Sequence, residues 1–335
     1  MGWLRIAFRW VAMTAGMWAL IAPAGAVQKS RATGRPVLWH DPGAIASLDL
    51  SWSDRRQFKP PSPPYTFLKE DLSGSHPKVR VKDASGREWT VKLEGDAHAT
   101  GEAHAEVAAA RLVWALGYYV QRSYFVDGGL VEHVGRLHRA SAMTADGRFP
   151  GAGFKERSAD LENTKQHWSV DKNPFVGTRE LSGLMILMTM ISNWDLNPRN
   201  LEILKARQPD GTTELEYMVT DLGASFGHME DGRPPRSLLS MYPWTMWNLH
   251  DYQRQRFIEG VKDGQLALHF RGNVDFRMVP IEHARWFAGL VSQVTPAQVR
   301  QAFEAAGATP QEVDGFSARF LEKVRELQQA VSRPQ

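Results

Sequence analysis

Asn193-Trp194-Asp195-Leu196-Asn197-Pro198-Arg199-Asn200, followed further on by Asp221-Leu222-Gly223, is the stretch on which the reading of this chain turns. Ahead of it, Leu181, Leu184, Met185, Leu187, Met188 and Ile191 recur at helical spacing, which predicts a buried helix over 180–191. Behind it, 201–204 and 217–220 read as a hairpin turning at Pro209-Asp210-Gly211, whose second strand delivers Asp221. Taken alone, the Asp, Asn and Pro of 195–200 suit a turn that merely closes the helix, because such side chains bond their own backbone.

The residues upstream add to that. Three short strands are predicted at 65–68, 78–82 and 88–93, with an Asp83-Ala84-Ser85-Gly86 turn, as an antiparallel meander. Lys92 lies in the third, alternating with apolar neighbours that point the other way. A helix follows over 101–116, with Thr100 as N-cap, an Ala-rich middle and Gly117 as its stop. It carries Glu102 and Glu106 one turn apart; Glu106, deeper and flanked by Ala and Val, is the better partner for Lys92. Residues 118–126 return to β. The last third is helical, opened by two capping boxes, Thr295-Pro296 with Gln298 and Thr309-Pro310 with Glu312. Residues 27–64, ending in Lys59-Pro60-Pro61-Ser62-Pro63-Pro64, read as a Pro-rich linker. Residues 127–177 carry no assignable pattern and are taken as an insert, with Lys155-Glu156-Arg157 a solvated run or a substrate-binding one. The expected class is α+β in two lobes, a small β lobe with one helix at 65–126 and a larger, mainly helical lobe at 178–330.

This ordered set resembles the protein-kinase-like superfamily, whose catalytic loop reads His-Arg-Asp-Leu-x-x-x-Asn and is followed by Asp-Phe-Gly. The Asp, the Leu, the Asp-to-Asn spacing and an Asp-x-Gly after a strand are all kept. The resemblance implies a two-lobed kinase-like fold and transfer of the γ-phosphoryl group of ATP or another nucleotide to a hydroxyl acceptor on a protein, lipid or small molecule. It also implies roles. Lys92 binds phosphate, Glu106 orients it, Asp195 is the catalytic base, and Asn200 and Asp221 hold Mg²⁺ or Mn²⁺. The chemistry asks for such residues: a carboxylate at the attacking hydroxyl, and a few oxygen ligands that fix the cation against phosphate.

The departures narrow the resemblance to atypical members, among them lipid-kinase-like and secretory-pathway enzymes. No Gly-x-Gly-x-x-Gly precedes Lys92; Leu72-Ser73-Gly74-Ser75-His76 stands between the first two strands, with Gly74 and Ser75 as the candidate phosphate cover. Trp194 replaces the arginine before the catalytic Asp, and no Ala-Pro-Glu follows. A catalytically degenerate kinase-like binding protein is the alternative. A second enzyme reading comes from Gly223-Ala224-Ser225-Phe226-Gly227, a Gly-x-Ser-x-Gly elbow with Ser225 as nucleophile and His250, His269 or His283 as base. The residues from His228 to Pro235 cannot begin the helix such an elbow needs. His98 and His104 have no carboxylate in zinc-site geometry and read as surface histidines.

Composition closes off other classes. Forty Lys+Arg against 37 Asp+Glu give a formal charge of +3, too small a field to imply nucleic acid as a partner. With no cysteine there is no disulfide framework, thiolate nucleophile or CxxC zinc site. Arg5 and Arg9 precede an uncharged stretch ending in Ala22-Pro23-Ala24-Gly25-Ala26, which predicts a cleaved signal peptide over 1–26, or an uncleaved anchor as the alternative. Cleavage would leave a secreted or periplasmic protein without a membrane span. In a bacterium that destination is poor in ATP, which leaves open a nucleotide-supplied compartment, a different phosphoryl or nucleotidyl reaction, or a binding role without turnover.

Overall fold

The computed structural model describes residues 33–74, 76–95, 101–157, 160–229 and 244–332; the predicted signal over 1–26 lies outside them. In chain order the elements begin with β1 (Arg35–Val37), β2 (Tyr65–Asp71), β3 (Lys78–Lys82), β4 (Glu88–Leu93) and helix α1 (Glu102–Ala115). There follow β5 (Ser123–Val126), β6 (Gly129–Glu132), β7 (Arg148–Phe149), β8 (Ala152–Arg157), β9 (Leu161–His167), α2 (Arg179–Met190), β10 (Leu201–Arg207) and β11 (Thr213–Val219). The chain ends with α3 (Leu249–Arg254), β12 (Ile258–Lys262), β13 (Gln265–Leu268), β14 (Met278–Pro280), α4 (Ile281–Val291), α5 (Pro296–Glu304) and α6 (Pro310–Ser332). The class is α+β, with a β-rich lobe and a helical lobe.

The small lobe is one sheet in the order β5-β8-β4-β3-β2-β6-β7. Its outer face is apolar: Val79, Val81, Trp89, Val91 and Phe154 are all fully buried there. The alternation that buries Trp89 and Val91 turns Lys92 to the opposite, cleft-facing side, as predicted. The predicted Thr100 cap lies outside the described residues; the helix opens at Gly101, and Glu94 caps it by accepting from the Gly101 and Ala103 amides, each at 2.9 Å. A carboxylate there also meets the positive end of the helix dipole.

Two boundaries differ from the sequence reading. Residues 127–177 are not an insert, because β8 lies between β4 and β5 and completes the small sheet, while β9 joins the hairpin of β10 and β11. The strand was hidden because Gly153 breaks its alternation; a β-carbon at Gly153 would stand 2.9 Å from that of Ala103, so helix α1 can approach only over glycine. Nor are residues 33–58 a linker. Strand β1 pairs in parallel with β11, and Ile45, Leu50, Trp52 and Phe58 are buried. Trp52 stacks on Phe58 at 5.3 Å and meets Trp114 of α1 edge-on at 5.7 Å. Gln298 of α5 donates to the Ile45 and Leu48 carbonyls at 2.6 and 2.8 Å. Each such buried side chain contributes roughly 1.5–3 kcal/mol, so a few large residues without periodicity suffice to fasten the segment.

In the large lobe α2 is buried along nearly its whole length and is capped by Thr178, whose hydroxyl accepts from the Leu181 amide at 3.2 Å. Both predicted capping boxes form, at Thr295 with Gln298 and at Thr309 with Glu312. The C-terminal end of α2 is anchored where the loop 193–200 departs. Lys323 of α6 donates to the Met190 carbonyl at 2.8 Å, and the Tyr252 hydroxyl donates to the same oxygen at 2.9 Å.

Candidate active site

Three carboxylates converge on one ammonium beneath the small sheet. Lys92 Nζ lies 2.7 Å from Glu102 Oε1, 2.9 Å from Glu106 Oε2 and 3.2 Å from Asp221 Oδ1. The glutamates come from successive turns of α1 and the aspartate from the end of β11, so the group joins sheet, helix and large lobe. Burial alone would lower the pKa of Lys92, yet Asp221, Glu102 and Glu106 hold it well above the usual lysine value. Glu102 shows the converse: burial works to raise its pKa, and the neighbouring Lys92 and His76 hold it well below the usual range. For Asp221, too, burial is overcome by Lys92 and Lys155, and the carboxylate is stabilised as the anion.

The sequence reading singled out Glu106 and set Glu102 second; both reach Lys92. Two further residues were missed. Lys155 of β8, read as solvated or substrate-binding, turns into the cleft, where it pairs with Glu106 and donates to the Thr220 carbonyl. His76, at the foot of the Gly74 turn, bonds Glu102 Oε2 through Nδ1 at 2.7 Å, and its Nε2 stands 3.2 Å from the Leu93 carbonyl. The signal for Lys155 was unreadable without knowing that its strand lies next to β4. Gly74 is an exposed turn residue at φ 73°, and Ser75 lies outside the described residues.

The loop 195–200 is held by amides. Asp195 Oδ1 accepts from Asn197 Nδ2 at 2.8 Å and from Asn273 Nδ2 at 2.5 Å. Asp195 Oδ2 has no hydrogen-bond partner among the described residues. Asn273, absent from the sequence reading, also accepts from the Leu196 amide at 2.8 Å and donates its own amide to the Trp194 carbonyl at 3.1 Å. Asn200 Nδ2 donates to the Asp195 carbonyl at 3.2 Å, which leaves Asn200 Oδ1 as the acceptor end of that side chain. The Thr220 amide donates to the Asn200 carbonyl at 2.9 Å, so Asn200 and the residue before Asp221 stand side by side.

These oxygens suit a hard divalent cation. Asp221 is an anion with its side chain 38% exposed, and Asn200 offers a neutral carbonyl oxygen from the turn just before β10. Among the described residues no three His, Cys, Asp or Glu side chains form a ready metal cage. Mg²⁺ needs none where phosphate and water complete its octahedron.

No family model matches the chain, and no curated protein matches it. Among solved structures it is similar to a proinflammatory kinase, CtkA, of Helicobacter pylori, at 10% identity and a TM-score of 0.44 over 81% of this chain and 95% of that one. It is similar to a Golgi casein kinase at 10% identity and a TM-score of 0.38, over 81% and 73% of the two chains. It is also similar to the Rio2 kinase of Chaetomium thermophilum in its ADP/Mg²⁺-phosphoaspartate complex, at 14% identity and a TM-score of 0.32, over 80% and 72%. The scaffold carries the order of side chains that the resemblance implies: a strand lysine ion-paired to the next helix, an Asp-x4-Asn loop after a buried helix, and an Asp-x-Gly after the following hairpin. The fold is α+β, and its elements follow the order that the resemblance implies.

The surroundings of Ser225 speak against the hydrolase alternative. Ser225 is wholly buried, its hydroxyl has no partner among the described residues, and no helix begins over residues 226–229. His269 is bonded to Glu259 at 3.0 Å and His283 to Ser182 at 3.0 Å, while His250 is exposed beside Asp251. His104 is no surface histidine either: it is stacked between Phe125 and Trp247 and donates from Nδ1 to the Ala306 carbonyl at 2.6 Å. His98 lies outside the described residues. Among the described residues no helix is long and apolar enough to cross a membrane.

Proposed function

We propose that this chain is a metal-dependent phosphotransferase that moves the γ-phosphoryl group of a nucleotide, ATP being the first candidate, to a hydroxyl acceptor. The observation that carries the reading is the single corner at which Lys92 meets Glu102, Glu106 and Asp221, with Asn200 tied beside Asp221 through Thr220. Asn200 Oδ1 and Asp221 would hold Mg²⁺ or Mn²⁺, whose charge would offset that developing on the phosphates. Lys92 would give a phosphate oxygen one of the N–H groups it now shares among carboxylates. Asp195 accepts the hydroxyl proton on Oδ2, its ring of amides on Oδ1 fixing the direction. The acceptor oxygen then bonds to the γ-phosphorus, the bond to the β-phosphate bridging oxygen breaks, and the nucleoside diphosphate leaves with that electron pair. The segment 1–26 adds a secreted or periplasmic destination to the reading, tested by N-terminal sequencing of the protein recovered from the cell envelope.

The test is thermal stability of the purified chain with ATP plus Mg²⁺ or Mn²⁺, against metal alone, nucleotide alone and Asp221→Ala. A specific ligand raises the midpoint by mass action. A metal-dependent rise lost in Asp221→Ala is the expected result. No rise with any nucleotide defeats the reading, and binding without product from a panel of hydroxyl acceptors moves it to a kinase-like binding protein.

A further inference from the structure

The sequence lacks the glycine-rich loop whose backbone amides cover phosphates in kinases, and the described part of the turn that stands there, residues 72–74, is held by its carbonyls. The guanidinium of Arg139 donates to the Leu72 and Gly74 carbonyls at 3.1 and 2.9 Å, which fixes the turn by its carbonyl side. Glu70 secures the same strip, accepting from the backbone amides of His138, Arg139 and Ala140 at 2.6–2.9 Å. The cations beneath the sheet are mostly spoken for. Lys92 has three carboxylates for its three N–H groups. Lys155 has Glu106 and the Thr220 carbonyl. Arg80 is held by Asp71 at 3.0 Å.

Lys78 is different. It stands directly across the β3–β4 ladder from Lys92, so both side chains leave the same face of the sheet. Its ammonium lies under the Gly74 turn, 3.4 Å from where a β-carbon on Gly74 would be. No carboxylate among the described residues comes within ion-pair distance of it, and the nearest on its own hairpin, Asp71, is engaged by Arg80 and Ser73. Burial, then the charge of Lys92, lowers its pKa; Asp71 draws it back up, Lys155 lowers it again, and Asp221 raises it least, with a net lowering. A half-buried cation beside Lys92 and Lys155, with no carboxylate paired to it among the described residues, costs free energy that an anion would return.

We propose that Lys78 is the phosphate-covering residue of this chain, its ammonium holding the polyphosphate of the nucleotide from above where other kinases use glycine-loop amides. The inference rests on the nucleotide reading and names the group that closes the site over the ligand.

The experiment is calorimetric titration of the full chain with Mg²⁺ plus ATP, ADP or adenosine, in wild type, Lys78→Met and Lys78→Arg. Loss of one charge-assisted bond to phosphate lowers ATP affinity about tenfold or more in Lys78→Met, with adenosine affinity within about twofold. Lys78→Arg keeps the charge and stays near wild type. The ligand-free melting midpoint of Lys78→Met stays level or rises, because a like charge beside Lys92 and Lys155 has gone. Should Lys78→Met not fold, Lys78→Gln takes its place. Equal ATP affinity in wild type and Lys78→Met, where wild type prefers ATP to adenosine, overturns the role of Lys78 and leaves the nucleotide reading standing. A wild type that binds no nucleotide overturns both. An equal loss of ATP and adenosine binding marks a structural role and overturns the inference.

Discussion

Lys155 donates to the carbonyl of Thr220 at 2.5 Å, so a lysine of the small sheet holds the residue immediately before Asp221. The same ammonium pairs with Glu106, which in turn holds Lys92. One side chain thereby sets the distance between the sheet and the candidate metal-holding aspartate. Lys155→Met is expected to cost about 2–3 kcal/mol of stability, since it leaves a buried acceptor and half a buried ion pair unmet. It is expected also to weaken metal-dependent nucleotide binding about tenfold, an effect on position beyond the loss of stability. Urea unfolding and titration with Mg²⁺ and ATP measure the two effects, and an unchanged affinity would show that Asp221 is placed without Lys155.

Asp195 is expected to matter for turnover and little for binding. Its Oδ1 is occupied by the amides of Asn197 and Asn273, and Oδ2 is the atom left for a proton. Asp195→Asn keeps an oxygen that can accept those two bonds and removes the basic one. Turnover should fall by about 10²–10⁴-fold, the range of a lost general base, with the ATP dissociation constant within about twofold. Single-turnover phosphoryl transfer with labelled ATP reads the first quantity and titration the second. Retained turnover would take the base role from Asp195.

The sequence was a good guide where a single element carries its own signal. The alternation of Glu88–Leu93 put Lys92 on the cleft side, the stripe of α2 located the loop, and two threonines marked where α5 and α6 begin. It failed where the answer lies in another element. The sequence of β8 reads as a charge run because Gly153 and Lys155 face helix α1 and Thr220 rather than solvent, a fact only the strand order β5-β8-β4 contains. Asn273 is likewise beyond reach of any local pattern: it serves a loop that lies seventy-eight positions earlier. The packing of Trp52 and Phe58 onto Trp114 escaped for a third reason, since the prolines that follow look like a spacer whatever precedes them.

Glu216 gives the fold a dependence on pH remote from the cleft. It lines a cavity of about 970 Å³ together with Tyr119, Arg122 and Arg157. Burial, then the charge of Glu214, pushes its pKa up to about 7 from an ordinary 4.5. The folded chain therefore holds this proton more tightly than the unfolded one, and the contribution of Glu216 to stability falls as pH rises from 4.5 to about 7, then levels. Glu216→Gln should be neutral at pH 4 and stabilising at pH 8, by up to about 3 kcal/mol at 1.36 kcal/mol per pH unit. Unfolding curves at both pH values test it; equal stability of the two proteins at pH 8 would mean that the carboxylate finds compensation as an anion.

Gly223 and Glu102 form a lock that double mutation can open. A β-carbon on Gly223 would stand 2.3 Å from Glu102 Cγ, deep in the side chain rather than at its mobile tip. Glu102 would have to swing away and give up Lys92 and His76, each 2.7 Å from its carboxylate. Gly223→Ala is therefore expected to cost about 1–3 kcal/mol by overpacking, with metal-dependent nucleotide binding weakened as Lys92 loses a partner. In a Glu102→Ala background the obstacle is gone, and the same Gly223→Ala change should cost much less. The cycle should return a coupling of about 0.5–3 kcal/mol, the range for residues in contact. Additive costs would mean that the two positions do not meet, and that the Asp221-Leu222-Gly223 turn requires its glycine for a reason other than the passage of Glu102 to Lys92.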